Sequence, residues 1–521
     1  MDAATAHRRR WATLGVLCIC LLVIGLDNTV LNVALPTLAT SLHAGQSQLQ
    51  WIVDAYTLVF AGLLLTTGSL GDRFGRRKAL FAGLAWFGGA SLWAAWAGSA
   101  GELIAARGAM AVGAAFIMPA TLSVLTNSFT DPKERARAIG VWAGVSGLGI
   151  VFGPTLGGWL LQHFWWGSVF LINVPVVVAG LIAGFWLVPE SRDPSAPRID
   201  VGGALLSIAG LSTLIWAIIE APERGWESPS ILTGFVVAAV LIGLFALWES
   251  RVREPMLDLG YFRNRRFASG CLSVTLLFFG LFGTVFFLTQ YLQFVLGYTA
   301  LEAGQRVLPV ATLVLGAPLG VRLAERIGEK FTVGLGMGVV ATGMGLLATT
   351  SVDSGYGHVA AVLAIMGLGM GTAMAPATEA VMGALPKDKA GVGSAVNDAT
   401  RHVGGAFGVA VLGSILSSAY GDRLRDELPG QAVPEVATDG LAGALAIAER
   451  LPADVGRAFA AAAREAFVHG MDVTVAVGAG VAALGALLAL AWMPSRAPAA
   501  PPEATPVAAS DVEERELEPS A

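Results

Sequence analysis

Fourteen runs of about twenty apolar residues, separated by short polar breaks, leave this chain very few possible folds. A helix of about twenty residues covers the roughly 30 Å hydrocarbon core of a bilayer. Inside that core every backbone amide and carbonyl must be paired within the chain, so such runs are expected as helices. They lie near 12–35, 49–70, 78–98, 101–126, 137–161, 167–189, 200–220, 230–249, 267–293, 303–324, 331–350, 357–383, 392–419 and 471–493. Only 14% of the residues are charged, against about 25% in soluble globular chains. An all-α integral membrane protein follows.

The charges between the runs set an orientation. With the N-terminus inside, the inner loops hold Arg73, Arg76, Arg77 and Lys78, then Lys133, Arg135 and Arg137, then Arg192 and Arg198, and so on to Lys387 and Lys389. The short outer loops hold only Arg224. That is the positive-inside pattern, and it places both termini in the cytoplasm. Arg8, Arg9 and Arg10 precede a run long enough to span, so the first helix is expected to act as its own signal anchor. The long loop 420–470 carries arginines yet falls outside, with a short helix expected near 455–468. The tail 495–521, rich in Ala, Pro and Glu, reads as disordered. Cys18, Cys20 and Cys271 lie in apolar runs and imply no disulfide framework.

Within the fifth run, residues 140–158 read GVWAGVSGLGIVFGPTLGG. Gly140, Gly149, Gly153, Pro154, Gly157 and Gly158 would ruin a soluble helix. In a membrane, a neighbouring helix can pack on the bare backbone. Gly149, Gly153 and Gly157 recur every four residues and so share one face. The plainer reading is a generic small-residue helix interface.

An internal repeat appears. DRFGRRK (72–78) after the second run is echoed by ERIGEK (325–330) after the tenth. MPATLSVL (118–125) is echoed by APATEAVM (375–382). Two equivalent bundles follow, a usual arrangement in secondary transporters. The layout is 1–11 N-terminus, 12–190 first bundle, 191–266 linker with two inserted spans, 267–494 second bundle, and the tail 495–521.

Together with LDNTVLNVALP (26–36), GSLGDRFGRRK (68–78), Arg107 with Gly113 and Pro119, and AGVGSAVNDATRHVGGAFGVAVLGS (390–414), this stretch resembles the major facilitator superfamily. The resemblance is to its fourteen-helix drug:proton antiporters, the QacA- and EmrB-type exporters. It implies two six-helix bundles plus two inserted helices. It also implies that residues 140–158 are the antiporter signature, and that the glycine face meets the tenth span at Gly316, Pro318 and Gly320. Two departures stand out. FWWGSVF (164–170) lacks an Arg common there, and Glu325 and Glu329 replace the commoner Asp and Arg of the second-half loop.

Charges at membrane depth are costly unless paired or hydrated, which makes each a functional candidate. At about 1.5 Å per residue, Asp27 lies about 12 Å below the outer surface, and Asp54 and Arg107 about 9 Å. Asp27 then exchanges between a proton and Arg107, or forms a static ion pair with it; the resemblance points to the same two residues. Asp54 binds protons or a cationic drug, or is an acid near outer water. Glu379 has a transport role or a structural one near the inner end of its helix. Asp398 and Arg401, three residues apart, either serve the substrate cavity or simply pair. Gln290 and Gln293 line the cavity or are solvated at the interface. The Gly68, Gly71, Asp72, Arg73, Gly75, Arg76, Arg77 loop anchors topology, or latches the bundles with Asp72 capping the next helix. Gly71 and Gly75 would permit its turn.

No GxxxxGK[ST] phosphate loop is present, and no His pairs with Cys at metal spacing. An enzyme, an ATP-driven pump and a cofactor or nucleic-acid partner are not indicated. The expected function is proton-coupled efflux of amphipathic drugs or antibiotics across the cytoplasmic membrane by alternating access, by a monomer. The alternatives are a dedicated exporter of an endogenous metabolite and a solute:proton symporter.

Overall fold

The computed structural model describes residues 3–42, 44, 46–192, 200–252, 255, 257–386, 389–428, 434, 437, 438 and 440–495. The predicted tail from 496 onward lies outside them, as do the side chains of Asp54 and Pro154.

The described chain is helical. The first group is α1 (Ala3–Ser41), α2 (Gln46–Phe74), α3 (Arg76–Ala95), α4 (Ala100–Ser128), α5 (Pro132–His163), α6 (Ser168–Leu171) and α7 (Asn173–Leu187). Then come α8 (Val201–Arg224) and α9 (Pro229–Glu249). The last group is α10 (Arg265–Gln290), α11 (Ala300–Arg306), α12 (Leu313–Ile327), α13 (Glu329–Leu347), α14 (Tyr356–Met382), α15 (Ala390–Glu427), α16 (Leu441–Ala448) and α17 (Ala453–Trp492).

Every predicted span coincides with a helix or a short helical pair. By length and apolar composition, twelve segments among the described residues can cross a membrane. Two of the fourteen expected spans, α3 and α5, are not among them. α3 opens on Arg76, Arg77 and Lys78, which leave too short an apolar stretch behind them; α5 is apolar from Ala138 onward, but several side chains in its middle lie outside the described ones. Length and apolar composition thus give twelve spans among the described residues, in place of the fourteen expected.

Packing divides the helices. In the first group α1 lies on α5, α7 and α4, α3 on α4 and α7, and α2 on α4. In the last group α10 lies on α15, α14 and α17, α13 on α14 and α17, and α12 on α14. The inserted α8 and α9 pack on each other, and α8 also covers α2 and α15. The groups meet along α2 with α15, α5 with α12, and α4 with α15.

The region read as loop 420–470 is mostly helix. α15 continues to Glu427, and α17 is a single helix of 40 residues. The short helix expected near 455–468 and the last span are thus one element. No proline interrupts residues 453–492, so nothing ends the helix once it has started. At 1.5 Å per residue it is about 60 Å long, twice the hydrocarbon core.

Candidate transport site

The Ser99 hydroxyl accepts the Glu102 amide at 3.2 Å and starts α4. Two turns on, Arg107 points into the first bundle with only 1% of its surface exposed. Its Nη1 donates to Asp27 Oδ2 at 2.5 Å. Its Nε donates to the Ile52 carbonyl at 3.2 Å. The guanidinium lies 4.3 Å from the centre of the Tyr56 ring. Asp27 is equally buried, and its other oxygen, Oδ1, accepts from Asn173 Nδ2 at 2.9 Å. The same Nδ2 lies 3.3 Å from Ser91 Oγ. Five helices, α1, α2, α3, α4 and α7, thus converge on one ion pair. Asn173, Ser91 and Tyr56 were not singled out by the sequence reading. The available signal for Asn173 was a polar amide within the apolar run FLINVPVVV.

Helix α5 presents two glycine faces. A Cβ built at Gly149 would lie 2.7 Å from Gly25 Cα of α1. One at Gly157 would lie 3.0 Å from Val30 Cγ1, and one at Gly153 would collide with Thr29 Oγ1. Thr29 Oγ1 lies 2.9 Å from the Gly149 carbonyl, within donating distance. The glycine face therefore meets the Asp27 helix, not the tenth span. The tenth span, α12, meets Gly140 and Gly144, where Val321 Cγ2 and Val314 Cα would lie 3.2 Å and 3.7 Å from an added Cβ. Gly158 faces Leu301 of α11 in the same way. The helical period explains the division. Gly149 is nine residues from Gly140, two and a half turns, hence the opposite side; Gly158 is five whole turns from Gly140, hence the same side. Gly316 and Gly320 of α12 abut the backbone of α14 at Leu368 and Thr372 instead.

The latch loop also differs from expectation. Asp72 accepts from the backbone amides of Gly391 at 3.0 Å and Val392 at 3.2 Å. It caps α15 of the other group, not the next helix. That end carries the positive helix terminus, with free amides to satisfy. Arg76 holds the same carboxylate at 2.6 Å. Gly75 has φ of 115°, a value glycine accepts readily, and makes the turn. Gly71 lies within α2 with ordinary spacing around it, so it is not needed for the turn. A Cβ at Gly68 would sit 2.6 Å from the Gly391 carbonyl, so this glycine permits the close approach of α2 to α15. Arg77 donates to the Phe185 carbonyl at 3.0 Å, and Arg73 lies 5.5 Å from the Phe74 ring centre.

Two further ion pairs join the groups at this end. Asp131 caps α5, accepting from the Glu134 amide at 3.0 Å and the Lys133 amide at 2.8 Å; these bonds hold its carboxyl below the ordinary range. The next turn carries Arg135, which binds Glu379 of α14 at 2.6 Å. Arg137 reaches Glu325 of α12 at 3.7 Å, a longer and more exposed contact. Glu329 pairs with Arg266 inside the second group at 2.5 Å.

Asp398 and Arg401 are fully buried on α15, with 3.8 Å between Arg401 Nη1 and Asp398 Oδ1. The Arg401 guanidinium crosses to the first group, 4.8 Å from the Trp142 ring of α5. Beside it, His402 packs edge-on against Phe60 of α2 at 4.6 Å. Gln290 closes α10 and Gln293 lies in the π-turn Tyr291–Val295; neither joins the Asp27 or Asp398 cluster. An apolar recess of about 460 Å³ lies between α1 and α5, lined by Leu22, Leu26, Phe152, Thr155, Leu156 and Trp159. Among the described residues no cluster of His, Cys, Asp and Glu could hold a metal ion.

The Major Facilitator Superfamily model matches residues 17–409. The chain belongs to the major facilitator superfamily. It is 37% identical over 475 residues to the multidrug efflux pump LfrA of Mycolicibacterium smegmatis, covering 90% of this chain and 94% of that one. It is 33% identical over 519 residues to the tetracenomycin C resistance and export protein of Streptomyces glaucescens, covering 98% and 96%. The crystal structure of the human organic anion transporter MFSD10 (TETRAN) matches with a TM-score of 0.60 at 15% identity, covering 93% of this chain and 99% of that one. At that identity the likeness speaks for the fold alone. This facilitator is a membrane transporter and not an enzyme.

Proposed function

We propose that this transporter exports amphipathic, often cationic, small molecules in exchange for protons across the cytoplasmic membrane. The observation that carries the reading is the Asp27–Arg107 pair, buried at the meeting of five helices. Breaking a buried ion pair typically costs about 3–5 kcal/mol. A proton taken by Asp27 removes the carboxylate charge and releases the pair. Moving a two-state equilibrium from 1:99 to 99:1 takes about 5.5 kcal/mol, so this one event supplies most of an alternating-access switch. The apolar recess includes Leu26, next to Asp27, and offers room for the apolar part of a substrate.

The names of the relatives support drug export. LfrA is a multidrug efflux pump, and another relative, 35% identical, is the methyl viologen resistance protein SmvA of Salmonella typhimurium. The tetracenomycin C resistance and export protein favours a second reading, export of a single product. The positive-inside pattern favours a cytoplasmic position for the arginine-rich end bearing Asp72 and Arg135. There the Asp72 cap and the Arg135–Glu379 pair hold the two groups together, so the state described is closed inward. One chain contains both groups, and the cycle needs no second copy.

The test is Asp27→Asn in proteoliposomes with an imposed pH gradient and a lipophilic fluorescent cation. The variant should insert and fold but lose gradient-driven efflux. Normal efflux would overturn proton coupling at this site.

A further inference from the structure

We propose that Asn173 is the positioning residue that lets Asp27 both hold and release its proton, by presenting either end of its amide. This rests on Asp27 being the coupling acid.

The geometry is specific. The two carboxylate oxygens of Asp27 are divided between two donors, Arg107 on Oδ2 and Asn173 Nδ2 on Oδ1. Asn173 is 1% exposed, and its own Oδ1 is buried without a hydrogen-bond partner. An asparagine amide carries two donors at one end and an acceptor at the other. In the observed orientation it serves a charged Asp27. A proton arriving on Asp27 Oδ1 turns that atom into a donor facing a donor. Rotation of the amide by half a turn brings Asn173 Oδ1, now without a partner, to accept the new O–H. Ser91 completes the exchange, because its hydroxyl accepts from Nδ2 now and can donate to Oδ1 afterwards. No backbone has to move. The proton adds to Asp27, no covalent bond breaks, the two hydrogen bonds of Asn173 Nδ2 are exchanged for two to its Oδ1, and the proton's return to water reverses the rotation.

The rest of the surroundings cannot perform this exchange. From α4, Arg107 is a donor in both states. From α2, Tyr56 presents its ring to Arg107, and its buried hydroxyl makes no hydrogen bond to Asp27. From α5, the contact with α1 is made by backbone glycines. Asn173 and Ser91 are the neutral groups in the network that can reverse their hydrogen-bond sense. The position of Asn173 is fixed locally: Ile172 joins the short α6 to α7, and Asn173 begins α7.

The experiment measures the pH profile of gradient-driven efflux of the fluorescent cation for wild type, Asn173→Ala, Asn173→Leu and Asp27→Asn. Both Asn173 variants remove the donor to the carboxylate and the acceptor for the protonated acid, so their profiles should move to higher pH by about one unit, the excess of a hydrogen bond to a charged group over one between neutral groups. Substrate affinity should stay within about twofold. A packing role would instead separate Ala from Leu, because one leaves a void and the other fills it. Unshifted profiles in both variants, beside an inactive Asp27→Asn, would overturn the role of Asn173 and leave the coupling acid standing. An active Asp27→Asn would overturn the coupling acid itself. Should neither Asn173 variant insert, wild-type protein labelled with 15N-asparagine decides. Its acid-minus-neutral infrared difference spectrum should contain a shifted amide band, and the absence of one refutes the rotation.

Discussion

Gly153→Ala tests the packing that holds Asp27 in place. The added Cβ would collide with Thr29 Oγ1 and lie 2.7 Å from Thr29 Cβ and 3.3 Å from the Val30 amide nitrogen. Rotating the Thr29 side chain moves Oγ1 but not Cβ, which is fixed to the backbone, so α1 must back away from α5. Overpacking of this kind costs about 1–3 kcal/mol. Replacing glycine by alanine in a helix returns about 0.5–1 kcal/mol. Gly89→Ala supplies the reference, since an added Cβ there meets nothing within 4 Å. It should gain only the helical term. The difference between the two variants therefore isolates the overpacking, about 1–3 kcal/mol. Unfolding of purified protein in detergent, followed by intrinsic tryptophan fluorescence, should place Gly89→Ala at or above wild type and Gly153→Ala below it. Efflux should fall further than stability does, because the displaced segment carries Asp27 two residues from Thr29. If Gly153→Ala melts with Gly89→Ala and transports normally, α1 and α5 are not in the contact described.

Asp72→Ala leaves Arg76 without its carboxylate and uncaps α15; turnover in proteoliposomes should drop with little change in substrate affinity, and wild-type turnover would reduce the loop to topological anchoring. Arg135→Glu should slow transport by opposing Glu379, and the double exchange Arg135→Glu with Glu379→Arg should restore it. A double exchange no better than the single one would remove that pair from the gate.

The apolar runs by themselves determined that the chain would be helical, and the placement of arginine determined which ends share a side. Backbone groups in lipid have few alternatives to a helix, so composition alone decides. Asp27, Arg107 and Asp72 were legible for the same reason: a charge inside or bordering an apolar run stands out. The spacing of Gly149, Gly153 and Gly157 likewise determined a bare helical face.

Tertiary structure decided what those features touch. The glycine face met α1 and not α12, because a face specifies only that some helix can come close. Asp72 capped a helix at Gly391, whose amide is 319 residues away in sequence, a distance across which no local pattern operates. Asn173 was passed over because an uncharged amide in an apolar run gives a weak signal until its partner is known. The 40-residue α17 was read as two pieces because hydropathy reports where lipid begins, whereas a helix ends only where its hydrogen bonds are interrupted. Side-chain chemistry is written residue by residue, but pairing depends on which helices the fold brings within a few ångströms of each other.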